Sequence, residues 1–493
     1  MENLSKQPTG MRGFVIVWIG QVVSMLGTGM TNFAIGVWIY QQTGEASAFT
    51  WAMVAFFAPS VIFSPVAGVI VDRSNRRRVM IVSDLIAGIV TIAWVGLLMF
   101  GDLQLWQIYL GNVVAGAANA FQFPAYSAAI SLMLPKEQYG RAAGMLSLAQ
   151  SASGILAPVF GGALLGMIGL SGIMTIDVIT FLFAIGALLL VFVPQPEMTT
   201  QGGRGSFGEE LVYGFRYIFE RPSLLGLQLV FFWINFLAMF GIAVMVPMIL
   251  ARTNNNELLL GSVQSLGAVG GVAGGLLLST WGGPKRKVHG VLLGMFGISV
   301  LGQMLMGMGQ GLFIWATASF FAQFILPILN GSNQAIWQAK VIPDVQGRVF
   351  SVRRLIAQIT APVAVALAGP LADNIFEPAM NGGALESLFS WLVGTGSGSG
   401  MALMFVISGG FGAVVALAGY LFPAVRNAED ILPDHEVVTK TAVLENRVQE
   451  LTEKRQQLKH SPNTPEARSE LASISRELRQ IGMEYQQIAW KKG

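Results

Sequence analysis

The sequence predicts an all-α polytopic membrane protein: twelve transmembrane helices in two pseudo-symmetric six-helix bundles, followed by a C-terminal cytoplasmic helical hairpin. Three observations predict this. Of the 493 residues, 53% are hydrophobic and only 12% are charged, whereas a soluble domain of this length needs more surface charge. Apolar runs long enough to cross roughly 30 Å of hydrocarbon recur along the chain. Basic residues gather in the short polar loops between those runs.

The apolar runs number about twelve, and each spans a bilayer at about 1.5 Å of rise per residue. The first run is too long for a signal-peptide core and has no small-residue cleavage site after it, so we expect it to stay as a membrane helix. The predicted spans are 14–40, 48–71, 79–100, 103–134, 141–168, 172–193, 222–250, 258–281, 287–309, 311–341, 349–374 and 400–422.

Basic residues fall in alternate loops, and this pattern orients the helices. The basic loops are those at 73–78, 136–141, 204–221, 285–287 and 340–354. The loops between them carry almost nothing basic beyond Arg252, and the longest of them is acidic, with Asp373, Glu377 and Glu386. The positive-inside rule therefore predicts a multi-pass protein of the cytoplasmic (inner) membrane with both termini in the cytoplasm.

A polar segment divides the spans six and six. It is a linker at 194–221 between an N-terminal bundle at 1–193 and a C-terminal bundle at 222–425. Apolar residues at helical spacing beside charges predict an amphipathic helix over 207–219, lying on the membrane surface. Two short motifs of the first bundle recur in the second at one common spacing, and two copies of a six-helix unit explain this most simply.

The tail at 426–493 is helix-forming, with Pro462 and Pro465 marking a turn between helices predicted at 439–459 and 466–490. Apolar residues alternate by three and four in both helices, which predicts a short antiparallel hairpin. A dimerising coiled coil is the alternative, and it would serve self-association or a protein partner. We favour the packed hairpin because three heptads are short for an independent coil.

The loop between the second and third spans carries the densest charge in the chain. Gly68 lets a neighbouring helix approach closely, and Asp72 at the membrane edge favours the positive N-terminal end of a helix that starts on the same side, such as the eleventh. Topogenic charge is the alternative explanation for the arginines. The residues of this predicted conformational latch are Gly68, Asp72, Arg73, Arg76 and Arg77.

Two six-helix halves, cytoplasmic termini and the Gly-xxx-Asp-Arg-x-x-Arg-Arg loop at 68–78 resemble the major facilitator superfamily over residues 12–425. In that family the latch stabilises the outward-facing arrangement, and the resemblance implies the same here. Asn75 departs from the pattern, since the family usually has Gly there. Asn tolerates a left-handed backbone better than most residues, so we expect the turn to survive.

The fifth span carries a Gly- and Pro-containing string at 154–162 that resembles the antiporter motif of drug exporters, with Ala157 in place of a usual Gly. Small residues permit tight helix packing, and proline removes a backbone hydrogen bond and bends the helix. Ordinary small-residue packing is the alternative explanation. The motif residues are Gly154, Pro158, Gly161 and Gly162.

The strings at 338–351 and 394–400 are similar to the macrolide-efflux branch of drug/proton antiporters, which also includes siderophore exporters. The resemblance implies gradient-driven export. In the fourth span Asn112 replaces the arginine of other drug exporters, so a proton relay through that arginine is not available.

Two carboxylates within the spans are candidates for ion coupling. Asp177 lies about five residues into the sixth span with no basic neighbour, where the ionised form is costly, so it is the first candidate for proton coupling. Because Asp177 is shallow, a carboxylate that reaches interfacial water is an equal alternative. Asp84 in the third span is a second candidate, although an ion pair with the arginines at 76–78 explains it better.

A substrate region is expected near the bilayer midplane between the halves. Amide and aromatic side chains with almost no charge suit a large amphipathic solute that is neutral or cationic. Each of these residues is as easily explained as interhelical contact. The candidates are Trp18, Gln21, Asn32, Asn119, Gln122, Phe123, Asn235, Asn330, Asn333 and Gln334.

Several function classes find no support in the sequence. There is no hydrolase triad, metal-ligand cluster, dinucleotide fingerprint or ATP-binding loop, which argues against an enzyme, a metal site and a cofactor. The energy source we expect is an ion gradient, of protons. Membrane orientation explains the basic residues better than nucleic acid does. The expected partners are a small-molecule substrate and the lipid bilayer.

The sequence therefore predicts a proton-coupled exporter of hydrophobic or amphipathic compounds, drug-like or macrolide-like, that works by alternating access. One alternative is a dedicated exporter of a native metabolite such as a siderophore or a lysolipid. An alternative of another class is a non-transporting membrane sensor or scaffold that acts through the tail.

Overall fold

A computed structural model describes residues 10–135, 138–192, 207–432, 444, 447–457 and 472–483, apart from some side chains within the helices. The regular structure of this part is helical. Its helices are α1 (Gly10–Thr43), α2 (Ala46–Arg73), α3 (Arg76–Phe100), α4 (Leu105–Met133), α5 (Tyr139–Leu190), α6 (Phe207–Phe219), α7 (Pro222–Ala243), α8 (Met245–Arg252), α9 (Glu257–Trp281), α10 (Lys287–Gly297), α11 (Leu305–Met308), α12 (Leu312–Lys340), α13 (Pro343–Gln358), α14 (Thr360–Leu371), α15 (Glu377–Met380), α16 (Glu386–Val393), α17 (Ser399–Leu421), α18 (Pro423–Arg426) and α19 (Ala428–Ile431).

Two π-helical segments join neighbouring α-helices into longer rods. Ile298–Met304 links α10 to α11 within the predicted ninth span, and Ala372–Phe376 links α14 to α15 at the end of the eleventh. The tail contributes two further helical stretches at 447–457 and 472–483. Predicted limits differ from these by a few residues because capping and turn geometry, rather than hydropathy, decide where a helix ends.

Within the described residues, ten helices are long and apolar enough to cross a membrane. One of them, α5, covers two predicted spans, because its helical geometry breaks only at Gly169, whose φ of 67° and ψ of −179° suit glycine. The 29 residues of α4 are also long enough to span a bilayer. The polytopic all-helical fold is confirmed, and the helices are consistent with the twelve predicted spans.

The turn between α2 and α3 differs from the prediction. Asn75 has φ −68° and ψ 110°, an extended rather than left-handed backbone. Its side chain accepts a hydrogen bond from the Arg78 backbone N–H at 3.1 Å and so caps α3. Asn fits this position because its oxygen satisfies a donor that the first helical turn leaves unpaired.

The two bundles repeat the same internal packing. In the first bundle α1 packs against α5, and α2 packs against α4. In the second bundle α7 packs against α17, and α9 packs against α12, which are the corresponding spans. This repetition supports the predicted duplication of a six-helix unit, while the domain boundaries stay predictions.

The bundles contact each other through α5 with α9 and through α2 with α14. A Cβ atom on Gly261 of α9 would overlap the Pro158 carbonyl oxygen of α5, so the two backbones touch there. One turn along, the Ser265 hydroxyl donates to the Ile155 carbonyl at 2.7 Å. Small residues permit this approach, and weak hydrogen bonds between helices hold it.

We call the end of the molecule with the α1–α2 and α8–α9 connections the acidic end, and the end with the basic loops at 73–78 and 285–287 the basic end. At the acidic end, the Asp373 carboxylate accepts hydrogen bonds from the backbone N–H groups of Ala46 at 3.0 Å and Ser47 at 2.7 Å. These N–H groups belong to the first two residues of α2, and the dipole at a helix N-terminus favours negative charge. A residue of the second bundle therefore caps a helix of the first.

Helix α6 of the linker and the first residues of the tail pack at the basic end. The predicted amphipathic helix is present as α6 with the same limits, and its Gly214 lies against Val352 and the Arg348 carbonyl of α13. The Glu429 carboxylate accepts from the backbone N–H groups of Lys287 at 3.0 Å and Val288 at 2.8 Å, which fixes the start of the tail to α10.

The two tail stretches contact each other as a hairpin would. Leu451, Ile474 and Ile481 form a small buried cluster. Arg447 forms an ion pair with Glu477 at 2.8 Å. Apart from Leu444, the remaining residues of the predicted hairpin, including Pro462 and Pro465, lie outside the described residues.

Asp373→Asn is expected to open the acidic end. Replacing the carboxylate removes its charge and one acceptor from the α2 N-terminus, which costs roughly 1 kcal/mol and shifts a two-state population about fivefold. The chain has no cysteine, so spin labels on cysteines introduced at Gln42 and Ser387 report the separation of the bundles. A distance distribution equal to that of the wild type contradicts the expectation, and Asp102→Asn, an exposed acid nearby, is the control.

Candidate functional site

The predicted latch lies at the basic end, and the structure describes only part of it. The surroundings of Gly68 and the side chains of Asp72 and Arg73 are not described. Arg77 donates from Nε to the Leu188 carbonyl at 2.9 Å and from Nη2 to the Leu189 carbonyl at 2.6 Å. A cation at a helix C-terminus is favourable, so Arg77 here joins α3 to the end of α5 within one bundle.

The antiporter-motif residues form a packing surface on α5. A Cβ atom on Gly161 would lie 2.8 Å from the Phe33 ring of α1, and one on Gly162 would lie 2.8 Å from the Glu257 carbonyl oxygen of α9. Gly154 faces Ala268 of α9 at ordinary contact distance. Together with Pro158, these residues let α5 touch both its own bundle and the partner bundle.

A cavity of about 350 Å³ lies inside the N-terminal bundle, surrounded by α1, α2, α3, α4 and the second part of α5. Both coupling candidates, Asp84 and Asp177, line it. Four of the predicted substrate residues also line it: Gln21, Asn32, Asn119 and Gln122. These predicted polar residues of the N-terminal bundle therefore converge on one cavity. The sequence alone shows only that they lie on several different helices.

Neutral donors hold the Asp84 carboxylate. The Gln122 amide donates to Oδ1 at 2.7 Å, and the Gln21 amide donates to Oδ2 at 3.3 Å. The expected ion pair between Asp84 and the arginines at 76–78 is therefore wrong. Asp84 lies about 12 Å along α3 from Arg76, at 1.5 Å of rise per residue, and the side chains that reach it come from α1 and α4.

Asp177 is enclosed rather than open to interfacial water. Its side chain is 4% exposed, and Oδ1 accepts a hydrogen bond from the Thr28 hydroxyl at 3.0 Å. A Cβ atom on Gly27 would lie 3.0 Å from the same oxygen and would overlap the Thr180 hydroxyl. Gly27 therefore lets α1 approach closely enough for Thr28 to reach the carboxylate.

The other predicted substrate residues lie apart from this cavity or outside the described side chains. The Trp18 Nε1–H donates to the Met145 carbonyl at 2.9 Å and so joins α1 to α5. Asn235 on α7 is half-buried, Asn330 on α12 is exposed, and Asn333 on α12 is 2% exposed. The Phe123 side chain lies outside the described residues.

Sequence reasoning missed Arg353 and the threonines of α1. Arg353 donates from Nη1 to Gln334 Oε1 at 2.9 Å, and its guanidinium lies 5.0 Å from the Trp337 ring centroid. Arg353 lies in the basic loop at 340–354, where membrane orientation alone explains a positive charge. Thr28 and Thr31 lie three residues apart, so they share a helix face, but hydroxyls are common in membrane helices and give no signal of their own.

Asn112 has a structural role. Its Nδ2 donates to the Ala52 carbonyl at 3.0 Å and so joins α4 to α2. Within the described residues, neither Asp84 nor Asp177 forms an ion pair. The site thus holds two carboxylates and amide, hydroxyl and aromatic groups, with Met and Ala completing the wall.

A family model described as Major Facilitator Superfamily matches residues 17–365. Over 365 residues the chain is 28% identical to macrolide efflux protein A of Streptococcus pyogenes, covering 73% of this chain and 90% of the relative. It is 26% identical over 308 residues to a lysophospholipid transporter of Yersinia enterocolitica, covering 60% and 72%. A bacterial homologue of the human lysosomal transporter Spinster matches in fold, with a TM-score of 0.62 and 16% identity over 83% of this chain and 96% of the other.

Gly27→Ala is expected to destabilise the protein by about 1–3 kcal/mol, because the added methyl group overpacks the contact with Thr180 and Asp177. Gly96→Ala on α3 is the matched control, since its Cβ meets open space and alanine favours a helix. The midpoint of thermal unfolding of the purified protein measures both. Equal midpoints for the two variants would show that the α1–α5 contact is looser than the structure has it.

Proposed function

The chain belongs to the Major Facilitator Superfamily, and on that premise we propose that it is a secondary active transporter that exports hydrophobic or amphipathic compounds by proton antiport. The observation that carries the proposal is the pair of carboxylates, Asp84 and Asp177, in one cavity with no ion pair among the described residues. An ionisable group at membrane depth marks an ion or substrate pathway. The similarity to macrolide efflux protein A supports drug-like or macrolide-like substrates.

Asp177 is the proposed coupling residue. Its carboxylate accepts a hydrogen bond from the Thr28 hydroxyl at 3.0 Å, and the residue is buried. A proton neutralises the carboxylate and removes the cost of burying a charge, while a substrate that supplies its own positive charge removes the same cost. The proton and the substrate therefore neutralise the same carboxylate at different times. Antiport of a proton against a substrate requires such alternating binding. Asp84, held by two amides, is the second candidate.

Alternating access follows from the contacts between the bundles. They touch along α5 and α9, where glycines replace interlocking side chains, and at Asp373, where hydrogen bonds cap α2. A glycine-lined contact can slide or rock with little repacking. Opening the acidic end requires the Asp373 bonds to break, and the proposed latch at 68–77 then holds the basic end closed.

Orientation and energy source complete the proposal. From the positive-inside rule we infer that the basic end and both termini face the cytoplasm of the inner membrane. Opening at the acidic end then releases substrate outside the cell. The inward proton gradient supplies the energy.

Export of one native metabolite, such as a lysolipid, is the second candidate. The Yersinia enterocolitica relative, described as a lysophospholipid transporter, favours it. A lysolipid has an apolar chain and a small polar head, as the amphipathic substrates of the first proposal do. The range of transported substrates distinguishes the two proposals. A dedicated exporter transports one class of compound and leaves unrelated hydrophobic compounds in the cell.

Expression of the protein in efflux-deficient cells is expected to lower the accumulation of fluorescent amphipathic compounds, and a protonophore is expected to restore it. Asp177→Asn is expected to remove the protonophore-sensitive part, because the amide cannot exchange a proton. Asp102→Asn, an exposed acid of the same bundle, is the control and keeps wild-type export. Export that survives the protonophore contradicts proton coupling.

A chain shortened after Leu432 is expected to keep wild-type export. The contacts that fix the end of the C-terminal bundle, from Glu429 to Lys287 and Val288, remain in it. The same accumulation assay measures this. Loss of all activity on removing 433–493, with Asp72→Asn and Asp177→Asn tolerated, would instead favour a sensor or scaffold that acts through the tail.

A further inference from the structure

We propose that Arg353 of α13, in the C-terminal bundle, binds the acidic headgroup of an amphipathic substrate, a phosphate or a carboxylate. The inference rests on the proposed export function and names one chemical group of the substrate. It concerns a charged side chain that the proposed proton coupling in the first bundle does not use.

Arg353 is a cation within a candidate membrane span. It lies about 12 Å along the helix from Val345, where that span starts, at 1.5 Å of rise per residue. Ionisable side chains inside spans ordinarily pair with an opposite charge, and they mark the pathway of a ligand or an ion. Among the described residues, no Asp or Glu forms an ion pair with Arg353. A negatively charged ligand would supply the missing counter-charge.

The groups in contact with the guanidinium are neutral and leave most of it uncovered. Its Nη1 donates to Gln334 Oε1 at 2.9 Å, and Cζ lies 5.0 Å from the Trp337 ring centroid and 5.9 Å from that of Phe350. The Nε and Nη2 atoms have no partner in the described part of the chain, and neither is enclosed. A guanidinium is a planar fork of five N–H donors that matches the paired oxygens of a carboxylate or a phosphate.

A surplus of hydrogen-bond donors beside Arg353 is the second, independent observation. The Trp337 indole N–H is fully buried and has no partner among the described groups, although buried donors normally have one. Gln334 gives its acceptor oxygen to Arg353, which leaves its amide N–H groups as donors. Three neighbouring side chains therefore present N–H groups, and the ligand that suits them is rich in acceptor oxygens.

The helix packing places Arg353 at a cleft. Helix α12 packs mainly on α9 and α10, whereas α13 packs mainly on α6 and α7. The Arg353 side chain therefore reaches from one group of helices to the other. Gln228 of α7 fixes its backbone by donating to the Arg353 carbonyl at 3.2 Å. In the first bundle, the cavity lies in the corresponding place, between the α1–α5 and α2–α4 pairs.

The test uses purified full-length protein in nanodiscs of phosphatidylcholine and radiolabelled oleoyl lysophosphatidate in a scintillation proximity assay. Unlabelled lysophosphatidate is expected to displace the label, whereas monooleoylglycerol, which is the same molecule without its phosphate, is not. Arg353→Gln is expected to weaken binding by about tenfold or more, because hydrogen bonds between charged groups are lost. Arg216→Gln, which changes an exposed arginine of α6, is the matched control and keeps wild-type affinity.

Equal displacement by lysophosphatidate and by monooleoylglycerol overturns the proposal, and this comparison needs only the wild-type protein. Wild-type affinity in Arg353→Gln also overturns it. A further arm replaces part of the nanodisc lipid by phosphatidylglycerol. Displacement of the label by this bilayer lipid assigns Arg353 to the membrane and overturns its role in substrate binding.

The accumulation assay separates this proposal from the export function on which it rests. Protonophore-sensitive export of fluorescent amphipathic compounds, without binding of lysophosphatidate, leaves the export function standing and removes the acidic-headgroup site.

Discussion

Backbone contact at glycine is the constraint on which the rest of this molecule depends. Gly261 brings α9 against the carbonyl of Pro158, and Gly369 of α14 lies against Ser47 and Thr50 of α2, so the bundles meet through main chain rather than through interlocked side chains. Inside the first bundle, Gly27 lets α1 approach α5 closely. Without hydrophobic driving force in lipid, close approach is what holds helices together, and it also determines which polar groups meet.

The polar groups that meet are two carboxylates with neutral partners. A structural carboxylate in a membrane bundle is normally neutralised by a cation, and here Asp84 and Asp177 are hydrogen-bonded by amides and a hydroxyl instead. When ionised, these two buried carboxylates have no opposite charge among the described residues to offset the cost of burial. The proposed proton coupling rests on this electrostatic arrangement.

The hydrogen bonds at the two ends of the molecule join different parts of the chain. At the acidic end, Asp373 of the second bundle caps α2 of the first, so separation of the bundles exposes two backbone donors. At the basic end, α6 lies on α13, and Glu429 fixes the start of the tail to α10. Helix α6 and the start of the tail thus pack on the second bundle, while the Asp373 contact joins the two bundles.

The sequence by itself determined the fold class and the helices and predicted the duplication, because hydropathy, loop charge and repeated motifs are local properties of the chain. It also selected Gln21, Asn32, Asn119, Gln122 and both carboxylates. Only the tertiary structure decided that these share one cavity, that amides rather than arginines hold Asp84, and that Asp177 is enclosed. Those facts depend on how far apart helix backbones pack, and that distance is set where a glycine of one helix meets the main chain of another.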